Sequence, residues 1–278
     1  MLAALAVPSG TVRRYVVAAP ALRDPHRAVR VYLPPSYFTP PATRRYPTLY
    51  LLHGWPGSDG NWLGIGRAAS SADTLIARGE MPEAILVFPN GHGPGLFGRS
   101  LYINSFDGSD RMEDFVVRDL VRWVDRHFRT VPKPAARALI GLSEGGTAAL
   151  NLAFRHPDVF GACAGHSGDY EMTKAIGLRA VIGRGADAKR MLAENSPLLT
   201  VDRLAPRLHE LVIYFDCGLA DESLGDNRAF DRKLTSLGIA HSYHEFPGSH
   251  TWSYWRQHLR DSLKAVTAKM RAPSLAAS

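Results

Sequence analysis

Eight short apolar, β-branched runs alternate along the chain with stretches of helical periodicity, and this alternation most restricts what the chain can fold into. The runs fall at 12–17, 29–33, 48–53, 84–88, 138–142, 161–164, 211–215 and 241–246. Between them, 113–128 sets Phe115, Val116, Leu120, Trp123, Val124 and Phe128 along one side. The stretch 226–237 reads as a helix stopped by Gly238, and about 252–270 closes the chain as another. Strands separated by helices build a mostly parallel sheet covered on both faces. The expected fold class is therefore α/β, one domain over residues 1–278 with about eight strands in the central sheet. The Pro-rich stretch 33–47 reads as a loop between strands, not a domain boundary. One interval breaks the rhythm: about forty residues, with Gly177, Gly183 and Gly185 among them, separate the sixth and seventh runs. A connection that long is expected to be a cap-like insertion, at about 166–205.

Composition narrows the class of function. No apolar run reaches the roughly 18 residues of a membrane helix. Against 26 acidic residues stand 33 basic ones, a net charge of +7, but the arginines are scattered (Arg13, Arg44, Arg118, Arg179, Arg207) and no basic block interleaved with aromatics occurs. That is a solvated surface rather than a nucleic-acid footprint. Two cysteines, Cys163 and Cys217, are too few for a disulfide framework or a Cys-rich zinc site, and leave open whether they pair. The opening MLAALAVPSG lacks the basic start of a signal peptide although Ala4-Leu5-Ala6 resembles the end of one. Both a cytoplasmic protein and an exported one without its signal peptide fit.

Chemistry concentrates in four places. Gly141-Leu142-Ser143-Glu144-Gly145-Gly146 follows a predicted strand and precedes a small-residue helical run at 147–154. That strand–turn–helix setting is where G-x-S-x-G presents a nucleophilic serine on a sharp turn. Upstream, His53-Gly54-Trp55-Pro56-Gly57 ends another strand. Acyl transfer needs two backbone N–H donors for the developing oxyanion, and the pair expected here is Trp55 and Glu144, since Pro56 cannot donate. The His53 side chain is read as bonded within its own loop. The base is expected to be His250, in a Gly/Ser loop between the last strand and the last helix; His244 lies within the strand, and His166, His209, His241 and His258 lack that context. For the acid, Asp221 follows the glycine turn after the seventh run, with Glu222 as the longer-reaching fallback and Asp216 third.

The pieces LLHGWPGSDGNW, MEDFVVRDLVRWVDRHFRT, GLSEGG with AALNLAFRHPDVFGA behind it, DCGLADE and FPGSHTWSYWRQHL occur in that order. Spanning about residues 12 to 265, they resemble the esterase D / feruloyl esterase family of α/β-hydrolases, which also includes enterochelin esterases and mycobacterial mycolyltransferase antigens. The resemblance implies an α/β-hydrolase fold, a nucleophile at Ser143, an acid at Asp221, a base at His250 and oxyanion donors at Trp55 and Glu144. It departs from the S-formylglutathione hydrolases of that family, which usually carry Met after the nucleophile and a Cys near the oxyanion loop. Glu144 and Trp-Pro-Gly stand there instead, and no role follows for the Glu144 side chain.

The expected function is a serine carboxylic-ester hydrolase working through an acyl-enzyme on short acyl, aryl (feruloyl-like) or acyl-sugar esters. The alternatives are an acyltransferase of the mycolyltransferase type and a catalytically silent binding protein of the same fold. No metal or organic cofactor is required, and no H-E-x-x-H or Cys/His cluster occurs. Trp55, Phe97 and Trp252 are expected to contact substrate, with Phe106, Tyr170 and Met172 converging on the same pocket.

Overall fold

In the computed structural model, residues 8–95, 97–172 and 177–270 are described. Eight strands form one sheet: β1 (Thr11–Ala18), β2 (His26–Leu33), β3 (Thr48–Leu52), β4 (Ile85–Pro89), β5 (Arg137–Leu142), β6 (Ala162–His166), β7 (Val212–Gly218) and β8 (Ser242–Phe246). Their order is β1-β2-β4-β3-β5-β6-β7-β8. The β1–β2 and β2–β4 pairs are antiparallel, and every other neighbour is parallel.

Side-chain alternation along the strands explains the two-faced core. Tyr50, Leu52, Ile85, Val87 and Leu139 point to one face, where the helix Glu144–Arg155, the helical stretch 112–127 and the helix Leu224–Ser236 pack. Leu49, Leu51, Leu86, Phe88, Ala138 and Ile140 point to the other, under the helices Ala68–Ala77 and Trp252–Thr267. The helical stretch around 113–128 is present, with Phe115–Leu120 widened to π-type turns. Gly238, at φ 66°, follows the helix that it was expected to stop.

Between β6 and β7 lie the helices Arg179–Ile182, Gly185–Asn195 and Pro197–Leu204. Leu178, Val181, Ile182 and Met191 from this segment join Leu101, Ile103 and Met172 in a small core separate from the two main ones. Cys163 and Cys217 are buried free thiols. No helix among the described residues is long and apolar enough to cross a membrane.

The strand order places the site. From β3 the chain steps outward to β4 on one side, while β5 to β8 build outward on the other. The connections after β3 and β5 therefore leave the sheet in opposite directions and open a crevice beyond their carboxyl ends. His53–Trp55 and Ser143–Glu144 are the residues that leave those two ends.

Candidate active site

Ser143 occupies the turn between β5 and its helix with φ 52° and ψ −125°, a conformation that costs a non-glycine residue about 1–3 kcal/mol. Its N–H donates to the His166 carbonyl (2.8 Å), which helps to hold the turn. A side chain at Gly145 would put its Cβ 2.4 Å from the Leu52 carbonyl oxygen, so only glycine lets this helix start against β3. The β3 loop approaches just as closely, since a Cβ on Gly54 would lie 3.0 Å from the Ser143 Cβ.

The His250 Nε2 lies 2.9 Å from the Ser143 Oγ, and its Nδ1 lies 3.1 Å from each Asp221 carboxylate oxygen. A carboxylate only accepts, so Nδ1 carries the ring proton and Nε2 is left to accept from the serine hydroxyl. Asp221 and His250 come from neighbouring connections that are tied together: Leu219 N–H donates to the Phe246 carbonyl and Ala220 N–H to the Gly248 carbonyl, both at 2.8 Å. The Asp221 side chain is fully buried while His250 keeps 29% exposure, so the imidazole faces the crevice and the carboxylate stands behind it. Burial pushes the Asp221 carboxyl up. Hydrogen bonds from His250, the Ser223 N–H and Ser167 outweigh that effect and hold it below the ordinary carboxylate range.

Of the other candidate acids, Glu222 is exposed, and Asp216 is wholly buried in a network of its own. Asp216 accepts from the Tyr254 hydroxyl (2.9 Å) and bonds His166 Nδ1, whose Nε2 lies 2.9 Å from Ser262 Oγ; Ser262 in turn donates to the Leu259 carbonyl. Asp216 thus braces β7 against the last helix.

Neither the Trp55 N–H nor the Glu144 N–H has an intramolecular acceptor among the described residues. Both stand beside Ser143 with donors to offer. His53 sets the first of them. Its Nε2 accepts from the Gly91 N–H (2.9 Å), so its Nδ1 carries the proton and donates to the Gly54 carbonyl (2.8 Å). In a trans peptide the next N–H, that of Trp55, points away from that carbonyl. Burial drives the His53 pKa down to about 4, which keeps the ring neutral in this role.

Trp55 and Phe97 come together as expected: the indole N–H donates to the Phe97 carbonyl (2.6 Å), and the rings meet edge to face at 6.4 Å. Trp252 does not join them. Half-buried at the start of the last helix, it packs edge-on against Trp62 and Trp255 at the margin of the core on that face. Tyr170 and Met172 also depart from the expected pocket. Tyr170 is fully buried against Phe215 and Phe230, and Met172 lies in the small core, because the long connection needs apolar anchors of its own. Phe106 is partly exposed and rests against Gly183.

Three residues escaped sequence reasoning. Ser167, immediately after β6, receives the Trp255 indole N–H at 3.0 Å and turns its own proton to Asp221. The Trp255 ring stands edge-on to His250 at 4.9 Å. Arg99 pairs with Glu144 (2.8 Å). Ser167 could have been found from its place at a strand's carboxyl end; the other two carry no local signal. No group of three or more His, Cys, Asp or Glu among the described residues could hold a metal ion.

The model of the Esterase family, described as "Putative esterase", matches residues 22–266. The chain belongs to the Esterase family. This esterase-family chain is 29% identical over 280 residues to an esterase of Mycobacterium tuberculosis, a match covering 90% of the chain and 58% of that relative. It is 32% identical over 153 residues to an endo-1,4-beta-xylanase/feruloyl esterase of Xylanibacter ruminicola, covering 54% of the chain and 20% of the relative. The chain thus spans little more than half, or less, of the length of these curated relatives. A solved structure of a ferulic acid esterase matches with a TM-score of 0.84 at 28% identity, over 94% of this chain and 99% of that one. The fold is that of the α/β-hydrolases.

Proposed function

We propose that this chain is a serine carboxylic-ester hydrolase in which Ser143 is the nucleophile, His250 the base and Asp221 the residue that orients it. The observation that carries the reading is the unbroken line Ser143 Oγ–His250 Nε2 and Nδ1–Asp221 at the mouth of the β3/β5 crevice, beside two unpartnered amides. His250 takes the Ser143 proton as Oγ attacks the ester carbonyl, and the Trp55 and Glu144 N–H groups hold the oxyanion. The alcohol leaves with the proton from His250, and an acyl-enzyme remains. Water, deprotonated by His250, then releases the acid. Asp221 stabilises the imidazolium in both halves.

The substrate class we favour is a short acyl or aryl ester, including feruloyl-type esters. Its support is the exposed Trp55 and Phe97 pair beside Ser143, together with the feruloyl esterase names of the Xylanibacter relative and the matched structure. A panel of nitrophenyl esters of graded acyl length, with methyl ferulate and an acetylated sugar beside it, tests the class. Fluorophosphonate labelling that vanishes in Ser143→Ala tests the nucleophile. Acyl transfer to an added alcohol in preference to water would overturn hydrolysis in favour of transfer. Absence of both turnover and labelling would favour a silent binding protein.

A further inference from the structure

The Glu144 side chain has no part in the reaction above, yet it is 7% exposed and takes three donors from a segment more than forty residues away: Arg99 Nε at 2.8 Å, Leu101 N–H at 2.8 Å and Ser100 N–H at 3.3 Å. The same segment holds the other oxyanion residue. The Arg99 guanidinium lies 5.3 Å from the Trp55 ring centroid, and the Phe97 carbonyl accepts the Trp55 indole N–H. Trp55 is 41% exposed, so these contacts, rather than burial, hold its ring in place. Residues 97–101 therefore grip both residues whose free amides flank Ser143.

The grip works against local strain. Leu101 and Tyr102 both have positive φ, 51° and 55°, which costs each about 1–3 kcal/mol. Charged acceptors make hydrogen bonds about twice as strong as neutral ones, so a carboxylate on two successive N–H groups can hold such a turn. Behind it, Ser100 Oγ donates to the Gly91 carbonyl and Tyr102 Oη to the His53 carbonyl, which carries the same segment back to the His53–Gly54 peptide. If loop stability were the whole purpose, apolar contacts of equal volume would serve as well as a desolvated ion pair.

Resting on the function proposed above, we infer that Glu144 and Arg99 are positioning residues: their ion pair straps residues 97–101 across the site and fixes the two oxyanion amides relative to each other. The strap acts on the tetrahedral state, not on the ground-state ester. Its loss lowers kcat and leaves KM nearly unchanged.

The test uses Glu144→Gln, Arg99→Lys, Glu144→Ala, Arg99→Ala and the double alanine variant, with nitrophenyl acetate as substrate. An aryl trifluoromethyl ketone serves as a second probe; Ser143 Oγ adds to its carbonyl, the hydroxyl proton passes to His250, and the resulting oxyanion meets the same amides. Displacing an oxyanion donor without deleting it is expected to cost about 10–100-fold in kcat, with KM within about threefold. The ketone's inhibition constant should rise by the same factor, and the double alanine variant should lose no more than the worse single one. Folded variants whose kcat and ketone affinity stay within twofold of the parent would overturn the strap, as would a rise in KM alone. If the alanine variants fail to fold, two milder changes decide the question: Glu144→Gln, which keeps the volume and one acceptor oxygen but removes the charge, and Arg99→Lys, which keeps the charge but removes the Nε donor and the planar group over Trp55. Parent activity that disappears in Ser143→Ala fixes the site beforehand. Its persistence in Ser143→Ala would overturn the functional reading and the strap together, whereas the former results overturn the strap alone.

Discussion

Replacing Ser143 with alanine removes one oxygen from a turn at the crevice and touches no core contact. Turnover is expected to fall by about 10⁴-fold or more with the melting temperature unchanged, as initial rates and a melting curve would show. Asp221→Asn should cost about 10⁴-fold, because an amide holds the imidazole in the wrong tautomer, while exposed Glu222→Gln leaves rates near those of the parent. His53 carries a different signature. Its folded pKa of about 4 lies below the unfolded value near 6.5, so between those limits the unfolded chain takes up a proton that the folded chain refuses. The stability this contributes is complete above pH 6.5 and is lost as pH falls toward 4, amounting to about 3 kcal/mol. Denaturant unfolding from pH 7 to 4.5 should therefore show a steeper acid-side loss in the parent than in His53→Gln. Equal slopes would mean that another group carries the transition.

The connection after β6 is tied to the helix Leu224–Ser236 through Asp226, whose carboxylate accepts the Tyr170 and Glu171 N–H groups. Burial pushes its pKa up to about 6; those two hydrogen bonds oppose the shift, and the charges of Asp169 and Glu171 add to it. A raised folded value reverses the sign found for His53. Asp226 stabilises the fold below its unfolded pKa, and this contribution is lost as pH rises through 6. The melting temperature of Asp226→Asn relative to the parent should rise from pH 4 to pH 7, and a flat difference would show that Asp226 does not titrate there. At this scale the sequence was informative where periodicity was clean. The inner strands β3 to β7 were legible because both their faces are buried, as were the helices that carry an apolar stripe. The helix Ala68–Ala77 was not, since its AASSADTLIA is short, small-sided and only weakly two-faced. Ser143, Asp221 and His250, which the structure brings together, each follow a strand end within four residues, and that placement is what singled them out in the sequence. Arg99 reaches Glu144 across 45 positions and Trp255 reaches Ser167 across 88, pairings that no window of sequence displays.

Across the whole molecule, the segment 97–106 and the long connection after β6 are built together. Phe97 lies against Gly177 and Phe106 against Gly183, while Leu101 and Ile103 enter the small core with Leu178 and Val181. Phe97→Ala should therefore alter acyl-length preference, with discrimination moving by roughly 1–3 kcal/mol per methylene in kcat/KM across a nitrophenyl ester series. A uniform drop across the series would assign Phe97 to support of the fold. The network behind the sheet has a separate consequence. Ser262, His166 and Asp216 reproduce the residue types and the spacing of Ser143, His250 and Asp221, so two geometric copies of one constellation lie in a single chain. The inner copy is sealed, and its hydroxyl proton is aimed at the Leu259 carbonyl rather than at the imidazole. A template search by atom distance would return both serines. An activity probe should find one, because reagent access and the direction of a single O–H bond separate a nucleophile from a brace.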